Sequence, residues 1–317
     1  MKTLIIKRLL QLIPTLLGVT VLTFVIIHLT PGDPVKLMMG PEATAEQIEA
    51  KRVELGFDKP LVIQYFTYLG GILTGDLGTS ITQNRPVTEA IFARLPATIE
   101  LAVVAMFFAM FTGVLVGVIS AVKPRSWFDN ISRIVIFVFL AMPSFWLGLE
   151  LIIIGARVLE IFPPAGRGEP YSAEMLRHLI LPAITLGVST GAFLCRILRS
   201  SMLQVLHADY IRTARAKGLD EPVVIMKHAL KNALIPFVTV AGLSLGALLG
   251  GSVIVETIFN WPGIGKLVID SIKSRDYPVT MGCVLVLATI FVFVNLIVDL
   301  LYAALDPRIR VGAQTDE

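Results

Sequence analysis

Thr98-Ile99-Glu100-Leu101-Ala102-Val103-Val104-Ala105-Met106-Phe107-Phe108-Ala109-Met110-Phe111-Thr112-Gly113-Val114-Leu115-Val116-Gly117-Val118-Ile119-Ser120-Ala121-Val122 is a run of 25 residues with a single ionisable side chain, Glu100. As an α-helix it is long enough for a bilayer core of about 30 Å, which takes about 20 apolar residues. Five further runs meet that length or come close: Leu9–Leu29, Ile134–Leu159, Leu179–Leu198, Leu234–Glu256 and Met281–Leu305. The whole chain agrees with them. Of its 317 residues 55% are hydrophobic and 16% charged, and the mean hydropathy is +0.78. A soluble protein carries about 25% charged residues and needs them to cover its surface. Disorder is excluded by the same figures. A net charge of +3 is too small for a nucleic-acid binder. Cys195 and Cys283 sit in or beside apolar runs and make no disulfide framework. The chain reads as an all-α polytopic membrane protein with six transmembrane helices.

Lys2, Lys7 and Arg8 precede the first run like the basic end of a signal peptide. The apolar stretch is too long for one and no A-x-A site follows, so the run is read as a retained helix. Lys and Arg also orient the spans. With the N-terminus inside, inner segments hold 15 of them against 6 in the short outer segments, which puts both termini in the cytoplasm. The chain then divides into a first helix, 1–29; an extracytoplasmic region, 30–97; a five-helix core, 98–305, with an inner loop at 199–233; and a cytoplasmic tail, 306–317.

The outer region is too long for a simple connector. Thr44 and Gln47 form a capping box, and Gly56 stops the helix they start. A second amphipathic stretch covers Val62–Leu73, and Pro86 opens a third short helix ending near Arg94. Such structure implies a contact with a partner on the outer side of the membrane.

Within the spans, small residues recur four apart, as helices in close contact require: Gly113 and Gly117, Gly187 and Gly191, and the stripe Gly242, Gly246, Gly250. That last stripe is the candidate for contact with a second transmembrane subunit. Pro143, Pro182 and Pro236 mark helix starts or kinks. No internal repeat is visible, against the inverted repeats of many secondary carriers. Intramembrane ionisable residues normally face a bundle interior or a water-filled cavity. Glu150, 16 residues after Ile134, is the deepest in its span and a candidate for the pathway, as is Asp299 near Asn295. Glu100 and Glu256 lie near the outer interface.

Catalytic motifs are missing from the sequence. Gly265-Lys266 lacks the first glycine of a P-loop, which is Asn260 here, and Leu267 stands where Ser or Thr belongs. There is no H-E-x-x-H, no G-x-S-x-G and no Cys/His metal spacing. Ser144 and Ser244 have no histidine at their depth, which argues against an intramembrane hydrolase. An ion-coupled carrier acting alone is the alternative to a conduit driven by other subunits.

Seven basic residues cluster between spans 4 and 5: Arg196, Arg199, Arg212, Arg215, Lys217, Lys227 and Lys231. The segment Ser200–Gly218 has good helix formers and a glycine stop. Leu206, Tyr210 and Ala214 fall on one face, with Thr213 beside them and Arg212 and Arg215 flanking. Such a helix fits lipid headgroups or a groove on a cytoplasmic partner.

Asp209-Tyr210-Ile211-Arg212-Thr213-Ala214-Arg215-Ala216-Lys217-Gly218, followed by Lys227-His228-Ala229-Leu230-Lys231-Asn232-Ala233-Leu234-Ile235-Pro236, resembles the EAA loop of ABC importer permeases. The match is to the B-type subunit of the dipeptide/oligopeptide branch and covers nearly the whole chain. It includes Pro31-Gly32-Asp33-Pro34, Gly75-Asp76-Leu77-Gly78-Thr79-Ser80, Arg94-Leu95-Pro96-Ala97-Thr98 and Pro143-Ser144-Phe145-Trp146-Leu147-Gly148. Leu181-Pro182-Ala183, Glu256–Gly265, Arg275-Asp276-Tyr277-Pro278 and Asp306-Pro307-Arg308-Ile309-Arg310 complete it. Where the broad pattern has Glu-Ala-Ala six residues before the glycine, this chain has Arg212-Thr213-Ala214, so the docking contact lacks its acidic group.

The resemblance implies a bacterial inner-membrane subunit with the ABC importer permease fold, half of a heterodimer with a C-type permease. Two cytoplasmic ATPases would supply ATP and Mg, so the chain itself needs no cofactor or metal. A solute-binding protein would deliver cargo from outside, touching the outer region and Glu256–Pro278. The helix Gln204–Lys217 would couple to the ATPases through Leu206, Asp209, Tyr210, Arg212, Thr213, Ala214, Arg215 and Gly218.

Overall fold

The computed structural model describes residues 2–29, 33–40, 42–54 and 56–305. Among these the chain is helical, with one isolated bridge, Thr79 to Pro86. In order come α1 (Lys2–Leu29), α2 (Pro34–Met39), α3 (Ala45–Glu54), α4 (Leu61–Thr74), α5 (Val87–Phe92), α6 (Leu95–Val122) and α7 (Trp127–Ala141). α8 (Ser144–Leu151) runs on as a π-helical segment, Ile152–Val158, and is followed by α9 (Ala173–Leu206) and α10 (Asp209–Ala216). α11 (Glu221–Val223) passes through a second π-helical segment, Val224–Ala229, into α12 (Leu230–Ile258), and α13 (Ile264–Lys273) and α14 (Tyr277–Leu305) end the described chain.

Among the described residues four helical stretches are long and apolar enough to cross a membrane: Val87–Val122, Ala173–Leu206, Glu221–Gly250 and Tyr277–Val298. The expected third span, Ile134–Leu159, is not one rod. Pro143 has no N–H to donate and biases Met142 to an extended backbone, so α7 stops at Ala141 and α8 restarts at Ser144 with a bend of 106°. The helix also begins earlier than expected, because Ser126 caps it by accepting the Asp129 N–H at 3.2 Å. Counted together as one span, the bent pair brings the number to five, and α1 carries the apolar stretch Leu10–Ile26. The tail 306–317 and the Pro31-Gly32 motif lie outside the described residues.

The chain forms two compact units. The first comprises Ile99–Trp261 and the chain from Phe293. Its centre is α9, which packs against α7, α8 and α12. The glycines four apart explain how α6 meets α9. A Cβ on Gly187 would lie 2.5 Å from the Ala105 carbonyl oxygen, and one on Gly113 would lie 3.1 Å from Leu194 Cβ. At each contact one helix lacks a side chain, and the other helix fills the space it leaves. Ser120 and Ser132 hydrogen-bond at 2.8 Å between α6 and α7, and Ser189 Oγ donates to the Phe139 carbonyl at 3.3 Å between α9 and α7.

The second unit comprises Lys2–Thr98 and Pro262–Val292. Its core packs Val87, Ala90 and Ile91 of α5 against Ile264, Leu267, Val279 and Cys283. The capping box at α3 is formed as expected: Thr44 Oγ1 accepts the Gln47 N–H at 3.3 Å and Gln47 Oε1 accepts the Thr44 N–H at 3.0 Å. Asp33 caps α2 and is paired with Arg52 of α3. Burial pushes the Asp33 carboxyl up, but the guanidinium and the amides of Val35 and Lys36 outweigh it and hold the group below the usual carboxylate value.

Candidate functional site

The first unit presents a short helix after α9. α9 ends at Leu206, and His207 Nδ1 bonds back to the Leu203 carbonyl at 2.7 Å. Ala208 is extended, with ψ 148°, so the chain turns before α10 begins at Asp209. This break corrects the expected stripe Leu206–Tyr210–Ala214. Leu206 belongs to α9, and the buried face of α10 is Ile211 and Ala214, one turn apart. That face packs against the π-helical segment Val224–Ala229. Tyr210 is half-exposed, and its hydroxyl accepts a hydrogen bond from Asn232 Nδ2 at 2.8 Å.

The outer surface of α10 is polar. The Asp209 and Arg212 side chains keep 97% and 77% of their exposure and pair loosely at 3.6 Å. Thr213 is exposed beside them. Arg215 is not free in the same way: its Nε and Nη2 donate to Glu221 at 3.0 and 2.7 Å. Gly218 ends the turn with φ +79° in open space, as a residue without a Cβ can. The helix is therefore a knob with its apolar side clamped to the segment leading into α12 and its charged side free.

The second unit joins two distant motifs at one carboxylate. Asp276 is buried and accepts from Ser80 Oγ at 2.5 Å, Thr82 Oγ1 at 2.8 Å, and the N–H groups of Thr82 and Ile81 at 3.1 and 3.2 Å. The loop after Gly75-Asp76-Leu77-Gly78-Thr79 is thus tied to the start of α14. Beside it lies a cavity of about 700 Å³ lined by residues that include Phe57, Lys59, Tyr68, Asp76 and Tyr277. In the first unit, Glu100 forms a two-oxygen ion pair with Arg167, with contacts of 2.6 and 2.7 Å, and the guanidinium lies 6.0 Å from the Trp261 ring centroid.

The remaining candidates scatter. Glu150 is half-buried on α8 and has no hydrogen-bond partner among the described residues. The Asp299 side chain lies outside the described residues. Within the glycine stripe of α12, a Cβ on Gly242 would meet Val298 of α14 at 2.6 Å, and Gly246 is buried. Gly250 faces open space.

Residues 113–311 match the family described as binding-protein-dependent transport system inner membrane component, and residues 1–102 match its N-terminal companion. The chain belongs to this family of permeases. It is 47% identical to the dipeptide transport system permease protein DppB of Alkalihalophilus pseudofirmus, covering 96% of this chain and 98% of that one. It is 48% identical to the glutathione transport system permease protein GsiC of Pectobacterium atrosepticum, with the same coverage. Among solved structures, the MetNI methionine ABC transporter aligns with TM-score 0.56 at 21% identity, over 68% of this chain and 96% of that one. An amino acid ABC transporter with histidines aligns with TM-score 0.55 at 15% identity, over 68% and 94%. Those two show a shared fold.

The permease also holds a pair that sequence reading missed. Asp129, fully buried at the start of α7, receives Arg199 Nε at 2.7 Å and Nη2 at 2.8 Å, and the Arg125 N–H at 2.8 Å. The one local signal was Ser126 three residues ahead of Asp129, the pattern of a helix cap. Nothing in the sequence pointed to a partner 70 residues away.

Proposed function

We propose that this permease is half of a pathway for short peptides, powered by ATP hydrolysed on two cytoplasmic subunits and fed by an extracytoplasmic binding protein. One observation carries the cargo class. Two relatives at 47% and 48% identity over 96% of the chain are named for dipeptide and glutathione transport, and glutathione is itself a peptide. The other half is a paralogous C-type permease, with Gly250 the one member of the α12 stripe left open for it. Both termini are cytoplasmic, and α10 is the docking helix. Mg-ATP binds the ATPases, and this chain contributes movement.

The geometry suits that role. α10 is fixed to the segment Val224–Ala229, which continues without a break into α12. A pull on its charged face is therefore applied to a membrane helix and not to a loose loop. The cycle needs the ATPases to bind α10 differently in their two states, since only differential affinity shifts a conformational equilibrium. Glu150 lines the pathway in this reading, unpartnered on a helix broken by Pro143.

Uptake of labelled di- and tripeptides into vesicles holding both permeases and both ATPases tests the proposal. Uptake is expected to need internal ATP and external binding protein, and to survive a protonophore. Uptake driven by a proton or sodium gradient without ATP would favour the carrier reading instead.

A further inference from the structure

α4 is built inside out. Leu61–Thr74 contains no charged residue. Gln64 and Tyr65 face α1: Tyr65 Oη and Thr20 Oγ1 are 2.9 Å apart, and His28 Nε2 and Gln64 Oε1 are 3.2 Å apart. The Phe24 ring packs on Tyr65 and Tyr68 with centroids at 5.4 and 6.2 Å. The opposite face is apolar and bare. Val62, Phe66 and Leu73, at i, i+4 and i+11, are 66%, 63% and 81% exposed, with Ile63 beside them. A helix resting in water turns its apolar stripe inward. α3 of the same unit, likewise without a buried residue, does present Glu46, Glu49, Lys51 and Arg52.

The contact with α1 sets a depth. Thr20 lies nine residues before Leu29, the end of the apolar run, which at 1.5 Å per residue is about 13 Å inward. Around that level α1 exposes Leu17, Val21, Leu22 and Val25, the same uncharged surface as the outward face of α4. At 14 residues α4 is about 21 Å long, too short to cross a core of about 30 Å.

We propose that α4 is an embedded helix of the outer leaflet, with Gln64 and Tyr65 bonded to α1 and the Val62–Phe66–Leu73 face against lipid acyl chains. A second permease or a binding protein would be a protein occupant of that face. Lipid is favoured because neither α4 nor the neighbouring surface of α1 offers an Asp, Glu, Lys or Arg side chain, and the exposed Thr67 and Thr74 hydroxyls donate to the Ile63, Gly70 and Gly71 carbonyls of α4 itself. The middle of the outer region is then held at the membrane, and α3 projects into water.

Spin labels at Phe66→Cys and Leu73→Cys, in the assembled importer in phosphatidylcholine/phosphatidylglycerol vesicles, test this. Glu46→Cys on α3 serves as the reference. Oxygen is expected to relax the labels at 66 and 73 more than a water-soluble nickel chelate does, with the order reversed at 46. Nickel exceeding oxygen at 66 and 73, or exclusion of both reagents, would overturn the proposal. Phe66→Trp gives an independent reading should the labelled forms not assemble. Acyl-brominated lipid is expected to quench it beyond the native tryptophans, and no added quenching would overturn the placement.

Discussion

Vesicles carrying Gly218→Pro are expected to hydrolyse ATP and import little peptide. Gly218 holds φ +79° and donates its N–H to the Arg215 carbonyl at 2.9 Å, which closes the turn after α10. Proline fixes φ near −65° and has no N–H, so it cannot make that turn. The chain after α10 is then re-aimed, and the knob no longer transmits its displacement to α12. The site is exposed and open, so insertion and assembly are unaffected. A loss of coupling of about 1.4 kcal/mol corresponds to a tenfold fall in uptake per ATP hydrolysed, and hydrolysis and uptake measured in the same vesicles give that ratio. Gly218→Ala keeps the N–H and bears only the left-handed penalty of about 1–2 kcal/mol, so its fall is smaller. Equal ratios for Gly218→Pro and the parent would remove α10 from the coupling path.

Asp129→Ala is expected to destabilise the first unit by about 3–5 kcal/mol, the range for breaking a buried ion pair from one side. The carboxylate is fully buried and receives both Arg199 donors and a backbone amide. Removing it strands a guanidinium against the wall of α7. Arg199 keeps 20% of its side-chain exposure, which puts the cost toward the lower end. Asp129→Ala with Arg199→Leu removes the stranded charge and is expected to recover part of the loss, since an apolar pair replaces an ionic one at small cost. Thermal unfolding of the detergent-solubilised protein, compared across the two singles and the double, checks the sign. A double variant less stable than the sum of the singles would show that the pair is not the cause.

Most of the architecture was legible because the bilayer imposes length. The runs at 98–122, 179–198, 234–256 and 281–305 each fall inside a long helix, and capping chemistry marked α3 and α5 to within a residue or two. What failed was continuity. Pro143 was visible, but whether a proline kinks a helix or divides it depends on neighbours. In α9, Pro182 is enclosed by a helix packed on three others and the helix continues. In α7–α8 it does not. The inner helix shows the same limit. Periodicity alone put Leu206, Tyr210 and Ala214 on one stripe, but the turn at Ala208 changes the register and buries Ile211 instead. The contacts Asp129–Arg199 and Ser80–Asp276 span 70 and 196 residues. No local pattern encodes those separations, so only the folded chain reveals them.

In the proposed cycle a separate ATPase drives this permease through the exposed face of α10. Arg212→Cys places a thiol on that face, where the native side chain is 77% exposed. In the assembled importer a short thiol-to-amine crosslinker is expected to yield a band containing permease and ATPase, with a yield that changes between nucleotide-free and ATP-trapped states. A complex that imports peptide and yields no such band in either state would exclude α10 as the docking helix.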